Sequence, residues 1–403
     1  MINRRTFILG SLASTLAACY QTPQLKNQCF NKKIPTALLK NPFYTQAWQD
    51  IDATKVWDSH VHLLGLGDAN QSWINPNMQS FKHPLLYAQF QFYLNASCID
   101  NSTPENLNTA FIQRLQKQLA EFPQGAKIML MAFDYSYNEQ GKKIPEQTPY
   151  YIANDYAAKV AQLDPDRFEW IASIHPYRVD AIDALEKAVA QGARAVKWLP
   201  PAMGIDPASP RCSAFYQALA RLKIPLLTHA GEEKAVFGRH IEDAGNPLRL
   251  RNALQQGVTT IVAHCGALGE SHDLDKKNKP LDSFKLFKRL MDDAQYQSLL
   301  YADISAMPQA NRVGSALKTV IQRQDWHSRL LNGSDYPLPG VIPLFSLDKL
   351  VEVNLLAQEK VAFLNEIRHY NVLLFDFLLK RHLSYKGKRF LPETFMTRDF
   401  FLL

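Results

Sequence analysis

The sequence predicts an α/β fold, a (β/α)8 TIM barrel of parallel strands with a long excursion between its first strand and first helix. Three observations carry this. Eight short β-branched and aliphatic runs alternate with helical patterns from about residue 55 to 340, and such alternation implies a parallel sheet. Eight repeats favour a closed barrel over an open sheet. No glycine-rich GxGxxG turn follows the first run, which weighs against a dinucleotide-binding sheet.

The expected strands are 56–63, 127–133, 168–175, 193–199, 225–229, 259–264, 299–304 and 329–333. Several are almost continuously apolar, as in Ile128-Met129-Leu130-Met131-Ala132-Phe133, which suits parallel strands buried on both faces. A helix over 181–191 ends at Gly192 and another over 248–256 ends at Gly257, both plausible C-cap positions. Ser102 with Glu105 forms a capping-box signature ahead of a further helix. About 60 residues separate the first two strands and include the aromatic stretch from Phe81 to Tyr93. At the catalytic end of a barrel they read as a lid or pocket wall, or as an extra packing helix. Residues 366–382 read as one apolar helix on the barrel exterior.

The chain has 403 residues, 46% apolar and 21% charged, ordinary values for a globular protein with a large core. Two arginines, Arg4 and Arg5, precede an apolar run from Phe7 to Leu16 and then small residues, in the order of an export signal. That run is too short for a comfortable permanent bilayer span. Without these two arginines the 45 basic residues become 43 against 38 acidic, a net charge of +5. So mild and scattered an excess does not argue for nucleic acid. Leu16-Ala17-Ala18-Cys19 resembles a bacterial lipobox, which implies cleavage before Cys19 and lipidation there. Arg4-Arg5-Thr6-Phe7-Ile8 resembles a twin-arginine signal, with Asn3 in place of the usual Ser or Thr and Leu9 in place of Lys. The expected division is an export signal over 1–18, a lipidated tether and lead-in over 19–50, and the barrel with a C-terminal helical extension over 51–403. The protein would then be exported and held on a bacterial membrane by its lipid, facing the periplasm. Cys29, Cys98, Cys212 and Cys265 remain. Some could pair after export, and buried thiols are the plainer reading. No zinc-cluster spacing occurs among them.

The chemistry concentrates at strand ends. His60 and His62 end the first strand, His229 the fifth and His264 the sixth, and Asp335 follows the eighth. Residues two apart in a strand point the same way, so His60 and His62 face the barrel axis together. All five lie at carboxyl ends, where barrel enzymes build their sites. Such a polar cluster is costly unless paired or ligating. Three histidines and a carboxylate suit a divalent metal, zinc first, with manganese, iron or nickel also accepted.

At this point the chain resembles the amidohydrolase superfamily. The closer resemblance is to its amidohydrolase-related branch of metal-dependent barrels, which includes aminocarboxymuconate-semialdehyde decarboxylase. The motifs are Asp58-Ser59-His60-Val61-His62, Thr228-His229-Ala230-Gly231, Ala263-His264-Cys265-Gly266 and Gly333-Ser334-Asp335, within roughly residues 55–380. The resemblance implies His60, His62, His229 and Asp335 as ligands of one metal, and His264 as a catalytic histidine. In binuclear relatives a carboxylated lysine on the fourth strand bridges two metals. Lys197 falls on that strand, so it is a candidate second-metal ligand, a substrate-binding cation or a partner for a carboxylate; one ion is preferred over two.

The implied mechanism has Asp335 taking a proton from an activated water and passing it to a leaving group. His264 would stabilise an oxyanion or act as general acid. Asp58 would orient an imidazole, or serve as a cap or in solvent. His175, at the end of the third strand, is a candidate substrate contact. Glu232 and Glu233 could bind a substrate amine or be plain loop acids, and Arg211 and Arg239 could pair with a substrate carboxylate. The leading function is hydrolysis of a C–N or C–O bond in a small-molecule amide, cyclic amide, lactone or ester. The alternative is non-oxidative decarboxylation by a lyase with the same ligands, and a third reading is a non-catalytic metal-binding lipoprotein.

Overall fold

The computed structural model describes residues 25–66, 71–100, 102–103, 105–239, 241 and 243–402. The expected export signal and the lipidation site Cys19 lie outside the described residues. Among the described residues no helix is long and apolar enough to cross a membrane.

Eight parallel strands form the centre: β1 (Trp57–His62), β2 (Lys127–Met131), β3 (Phe168–Ile171), β4 (Val196–Trp198), β5 (Leu226–His229), β6 (Thr260–Ala263), β7 (Leu300–Asp303) and β8 (Leu330–Leu331). Pairing runs in chain order from β1 to β3 and from β4 to β8. Parallel bridges Ala172↔Val196 and Val61↔Tyr336 join the two sheets at both seams. Ser59 N donates to Asn332 O (2.9 Å) and Asp335 N to His60 O (2.8 Å), so the ladder returns to its first strand. Each expected strand is present, and each is one to four residues shorter than the apolar run suggested.

Alternation separates the layers. Met129 and Met131 join Trp57, Ile171, Leu227 and Ile261 inside the barrel. Ile128 and Leu130 point outward under the surrounding helices. β1 breaks this rule usefully. Its register against β2 shifts between Asp58 and Val61, and a bulge of this kind reverses which face later residues occupy. Trp57 therefore fills the barrel floor while His60 and His62 turn inward at the mouth.

The long excursion forms a wall of the mouth. Ser72–Ile74 pairs antiparallel with Tyr150–Ile152, and helix α1 (Pro84–Ala96) carries the aromatic stretch. Gln89 and Tyr93 on α1 both donate to the Ala235 carbonyl beyond β5, which clamps the helix across the cavity.

Several local expectations need correction. Ser102 and Glu105 do not cap a helix: the helix begins at Leu107 behind Asn106, and no side chain caps it. The 248–256 segment divides into a 3-10 turn, Pro247–Leu250, and a short helix, Arg251–Gln255. The apolar stretch near 366–382 is two helices, α2 (Val361–Tyr370) and α3 (Val372–His382). Asn371 between them is extended, and its side chain accepts from Leu374 N as the cap of α3. From α3, buried Lys380 donates to the Gly333 carbonyl (2.5 Å) and pairs with Asp376, bracing the turn that carries Asp335. Before the barrel, Ile34 and Ala47 are buried, and a disulfide joins Cys29 to Cys98. Cys212 and Cys265 are free and buried.

Candidate metal centre

Asp335 stands at the centre of the strand-end residues. Its Oδ1 lies 3.0 Å from His62 Nε2 and 3.5 Å from His60 Nε2, and its Oδ2 lies 3.7 Å from His264 Nε2. Asp335 adopts a left-handed conformation (φ 63), which aspartate tolerates better than most residues. Asp58 fixes this turn: its Oδ1 accepts from Ser334 N (2.8 Å) and His60 N (3.1 Å), tying β1 to the segment after β8. It therefore holds backbone and orients no imidazole; burial pushes its carboxyl up to about 6. Gly333 is required here, because a Cβ would come within 2.7 Å of the His60 Cβ.

The residue that orients the imidazole is Asp303, which the sequence reading missed. Its Oδ2 lies 2.7 Å from His60 Nδ1, and its Oδ1 accepts from His264 N (2.9 Å), Ser305 N (3.1 Å) and Ser305 Oγ. Burial alone would raise this carboxyl, but His60 and the hydrogen bond to it outweigh that and hold it low. An ionised Asp303 keeps the His60 proton on Nδ1 and leaves Nε2 bare toward Asp335. Asp303 ends β7, so the strand-end rule that found the histidines also pointed to it.

His264 Nδ1 lies 2.9 Å from the Ser305 carbonyl, which places its proton there and leaves Nε2 as an acceptor. Burial lowers the pKa of His60, His229 and His264, which favours the neutral form in which imidazole ligates. For Asp335 burial again opposes ionisation, but His264, His60 and His62 prevail and hold it well below the usual carboxylate range.

His60, His62 and Asp335 offer ligand atoms all within 4.8 Å of one another, and His60, His264 and Asp303 form an overlapping group. His229 stands outside both. Its ring meets that of His264 at 5.4 Å, its Nδ1 lies 3.4 Å from Glu233 Oε2, and its buried Nε2 has no partner. Neutral imidazole nitrogens, a carboxylate and an orphaned buried Nε2 fit a divalent cation. Lys197 is fully inside, with Nζ 3.1 Å from His60 Nε2. Desolvation lowers its pKa, opposed by the fields of Asp303, Asp335 and Glu233.

The other candidates separate cleanly. His175 is buried with both ring nitrogens satisfied by backbone, Nε2 by Met203 O (3.1 Å) and Nδ1 by Tyr177 N (3.1 Å), and it does not line the cavity. Arg211 stacks over Tyr177 and Arg239 donates to Tyr137 O; neither lines the cavity. Glu232 pairs with Lys234 (3.0 Å) at the surface. Glu233 is the opposite case, buried in the cavity wall and pushed up by burial to about 7.

These residues floor a cavity of about 570 Å³ whose walls are mostly apolar, with Ile74, Met78, Phe90, Val341 and Leu344 among them.

Fold and site together define an α/β-barrel enzyme with a capacity for metal at the carboxyl ends of its strands. A family model described as amidohydrolase matches residues 57–366, and the chain belongs to that family, whose members use a divalent metal. No curated protein sequence matches the chain. Similar solved structures include an uncharacterized TIM-barrel protein from Bordetella bronchiseptica (16% identity, 74% of this chain and 94% of that one, TM-score 0.44). Others are a 5-carboxyvanillate decarboxylase from Novosphingobium aromaticivorans (12%, 80% and 97%, 0.45) and a 4-oxalomesaconate hydratase from Rhodopseudomonas palustris (16%, 80% and 97%, 0.39). Likenesses this distant say nothing of substrate.

Proposed function

We propose that the protein is a metal-dependent hydrolase that cleaves a C–N or C–O bond of a small-molecule amide, cyclic amide, lactone or ester. The observation that carries this reading is Asp335, a carboxylate whose oxygens lie 3.0 to 3.7 Å from the Nε2 atoms of His62, His60 and His264 on the floor of an apolar cavity. His60, His62, His229 and Asp335 would hold one divalent ion, zinc first. Such an ion supplies Lewis acidity and lowers the pKa of water towards ~7.

Asp335 takes the proton of the attacking water. As the carbonyl carbon gains that oxygen and the C–N or C–O bond breaks, Asp335 returns the proton to the departing nitrogen or oxygen. His264 presents a bare Nε2 toward Asp335, so it accepts a hydrogen bond from the attacking water and orients it, while the proton itself goes to Asp335. Asp303 and Ser305 act through the imidazoles they orient. Lys197 supports a charge-compensating role beside His60 in this one-metal reading.

We further propose that the mature protein is exported and lipid-anchored through Cys19, with residues 19–50 leading from the anchor into the barrel. The Cys29–Cys98 disulfide supports an oxidising compartment. Cys19→Ser should move the protein from the membrane to the soluble fraction, and sedimentation with membranes that survives a high-salt wash would contradict the anchor.

The functional test is turnover of a panel of lactones, esters, amides and aromatic carboxylic acids, with and without a chelator. Chelator-sensitive hydrolysis is expected. Release of CO2 from an aromatic acid with no hydrolysis of any substrate would assign the protein to the decarboxylating alternative.

A further inference from the structure

The loop after β7 lines the cavity with Gln309, Asn311 and Arg312; Asn311 is exposed, Gln309 and Arg312 are not. Both are almost wholly buried, 7% and 8% exposed. The guanidinium Nε and Nη1 have no hydrogen-bond partner, and neither does the Gln309 Oε1. Glu233, Asp303 and Asp335 reach Arg312 only through their fields.

Burying a guanidinium without direct partners is costly. A fold does not place one inside a cavity beside an unpartnered amide as packing material. An arginine fork matches a planar two-oxygen group; of the Gln309 amide only the NH2 can donate to such a group, and its orphaned carbonyl oxygen calls for a donor elsewhere on the ligand. Most of the remaining wall is apolar, with Ile74, Phe90, Val341 and Leu344 facing the same space. Such a wall rewards a hydrocarbon or aromatic body; of the other cations in the lining, Lys234 is exposed and paired with Glu232, and Lys197 lies against His60 on the floor.

We propose that Arg312 and Gln309 form a receptor for a substrate carboxylate, and that the substrate is an amphiphilic monocarboxylate whose apolar body fills the cavity. The bond to be cleaved then lies between that body and the histidine–aspartate floor. This rests on the hydrolytic reading only for which bond reacts; binding of the carboxylate is independent of it. The role given in the sequence to Arg211 or Arg239 falls to Arg312.

The experiment is calorimetric titration of 4-phenylbutyrate against its neutral primary amide. It uses wild type, Arg312→Met and Arg312→Lys, each as purified and after chelator treatment, so that no cation can hold the carboxylate. Wild type should prefer the carboxylate roughly 10- to 100-fold, the range for charge-assisted hydrogen bonds. Arg312→Met should lose that preference while still binding the amide, and Arg312→Lys should keep part of it. Equal binding of acid and amide by wild type overturns the proposal whether or not the methionine variant folds. So does an undiminished preference in a folded Arg312→Met. If the preference disappears in Arg312→Met but nothing in the panel is hydrolysed, the receptor stands and the hydrolytic reading falls. If neutral esters turn over and acids bind no better than amides, the reverse holds.

Discussion

Two buried histidine clusters sit at the carboxyl ends of barrel strands, and they differ in one respect. Around His175 every strong hydrogen-bonding group has a partner within the chain. Its ring nitrogens meet Met203 O and Tyr177 N, its backbone N donates to Asp134 Oδ2, and Arg178 Nη1 donates to the same oxygen. Around Asp335 the account stays open. His229 Nε2, two nitrogens of Arg312 and the Gln309 carbonyl oxygen are buried and unpartnered, all at one cavity. The first cluster is architecture. The second has the form of a receptor, because buried polar groups persist without internal partners where a ligand completes them. Residue type and strand position do not distinguish the two; saturation does.

The largest effect that could break this contrast is on turnover. Asp335→Asn should lower kcat on the order of 10^3-fold, as expected for loss of a proton-transfer group, with a melting temperature near that of wild type. Substantial residual activity would remove Asp335 from its role.

His175→Ala should act on the other side, costing about 3 kcal/mol of stability through a cavity and stranded backbone groups. Its metal affinity should be unaltered, as read by chelator competition. A pH dependence accompanies it. Burial holds His175 at about 3 against an ordinary 6.5. Between those values the unfolded chain takes up a proton that the folded chain refuses, so stability falls as pH drops below about 6.5 and the loss levels off near 3. Urea denaturation at pH 7 and pH 5 should show a smaller acid loss for His175→Gln than for wild type. Equal losses would mean that His175 is not held neutral.

Asp303→Asn should weaken metal binding about 10- to 100-fold, the usual penalty for removing a carboxylate behind a ligating histidine. An unchanged affinity would make Asp303 a part of the closed architecture instead. Smallest of all, Glu232→Gln should change stability by less than about 0.5 kcal/mol, since it removes only a half-exposed pair with Lys234. A large loss in urea midpoint would show that the surface assignment of Glu232 is wrong.

The barrel was legible because buried parallel strands are apolar on both faces and need no long-range information. Their exact ends were not: the run through His175 stops as β3 at Ile171, where the ladder hands over to the bridge at Ala172. The break at Asn371 was signalled by a capping residue inside an apolar stretch, which hydropathy alone overrides. The facing of His60 and His62 came out as expected, although a bulge rather than simple alternation produces it. Asp303 was within reach of the strand-end rule. Arg312 and Gln309 were not, because loop residues carry no periodicity that tells which way they point. Glu232 and Glu233 are chemically alike neighbours, and only the fold separates a solvated acid from a buried one.

The most direct measurement is the metal content of the purified protein by elemental mass spectrometry, on wild type, His62→Ala, His229→Ala and His175→Ala. The account predicts about one divalent ion per chain in wild type and His175→Ala, and far less in the other two. A wild-type protein that carries no metal and takes none up from zinc or manganese solutions would contradict it, as would His62→Ala and His229→Ala both retaining a full complement.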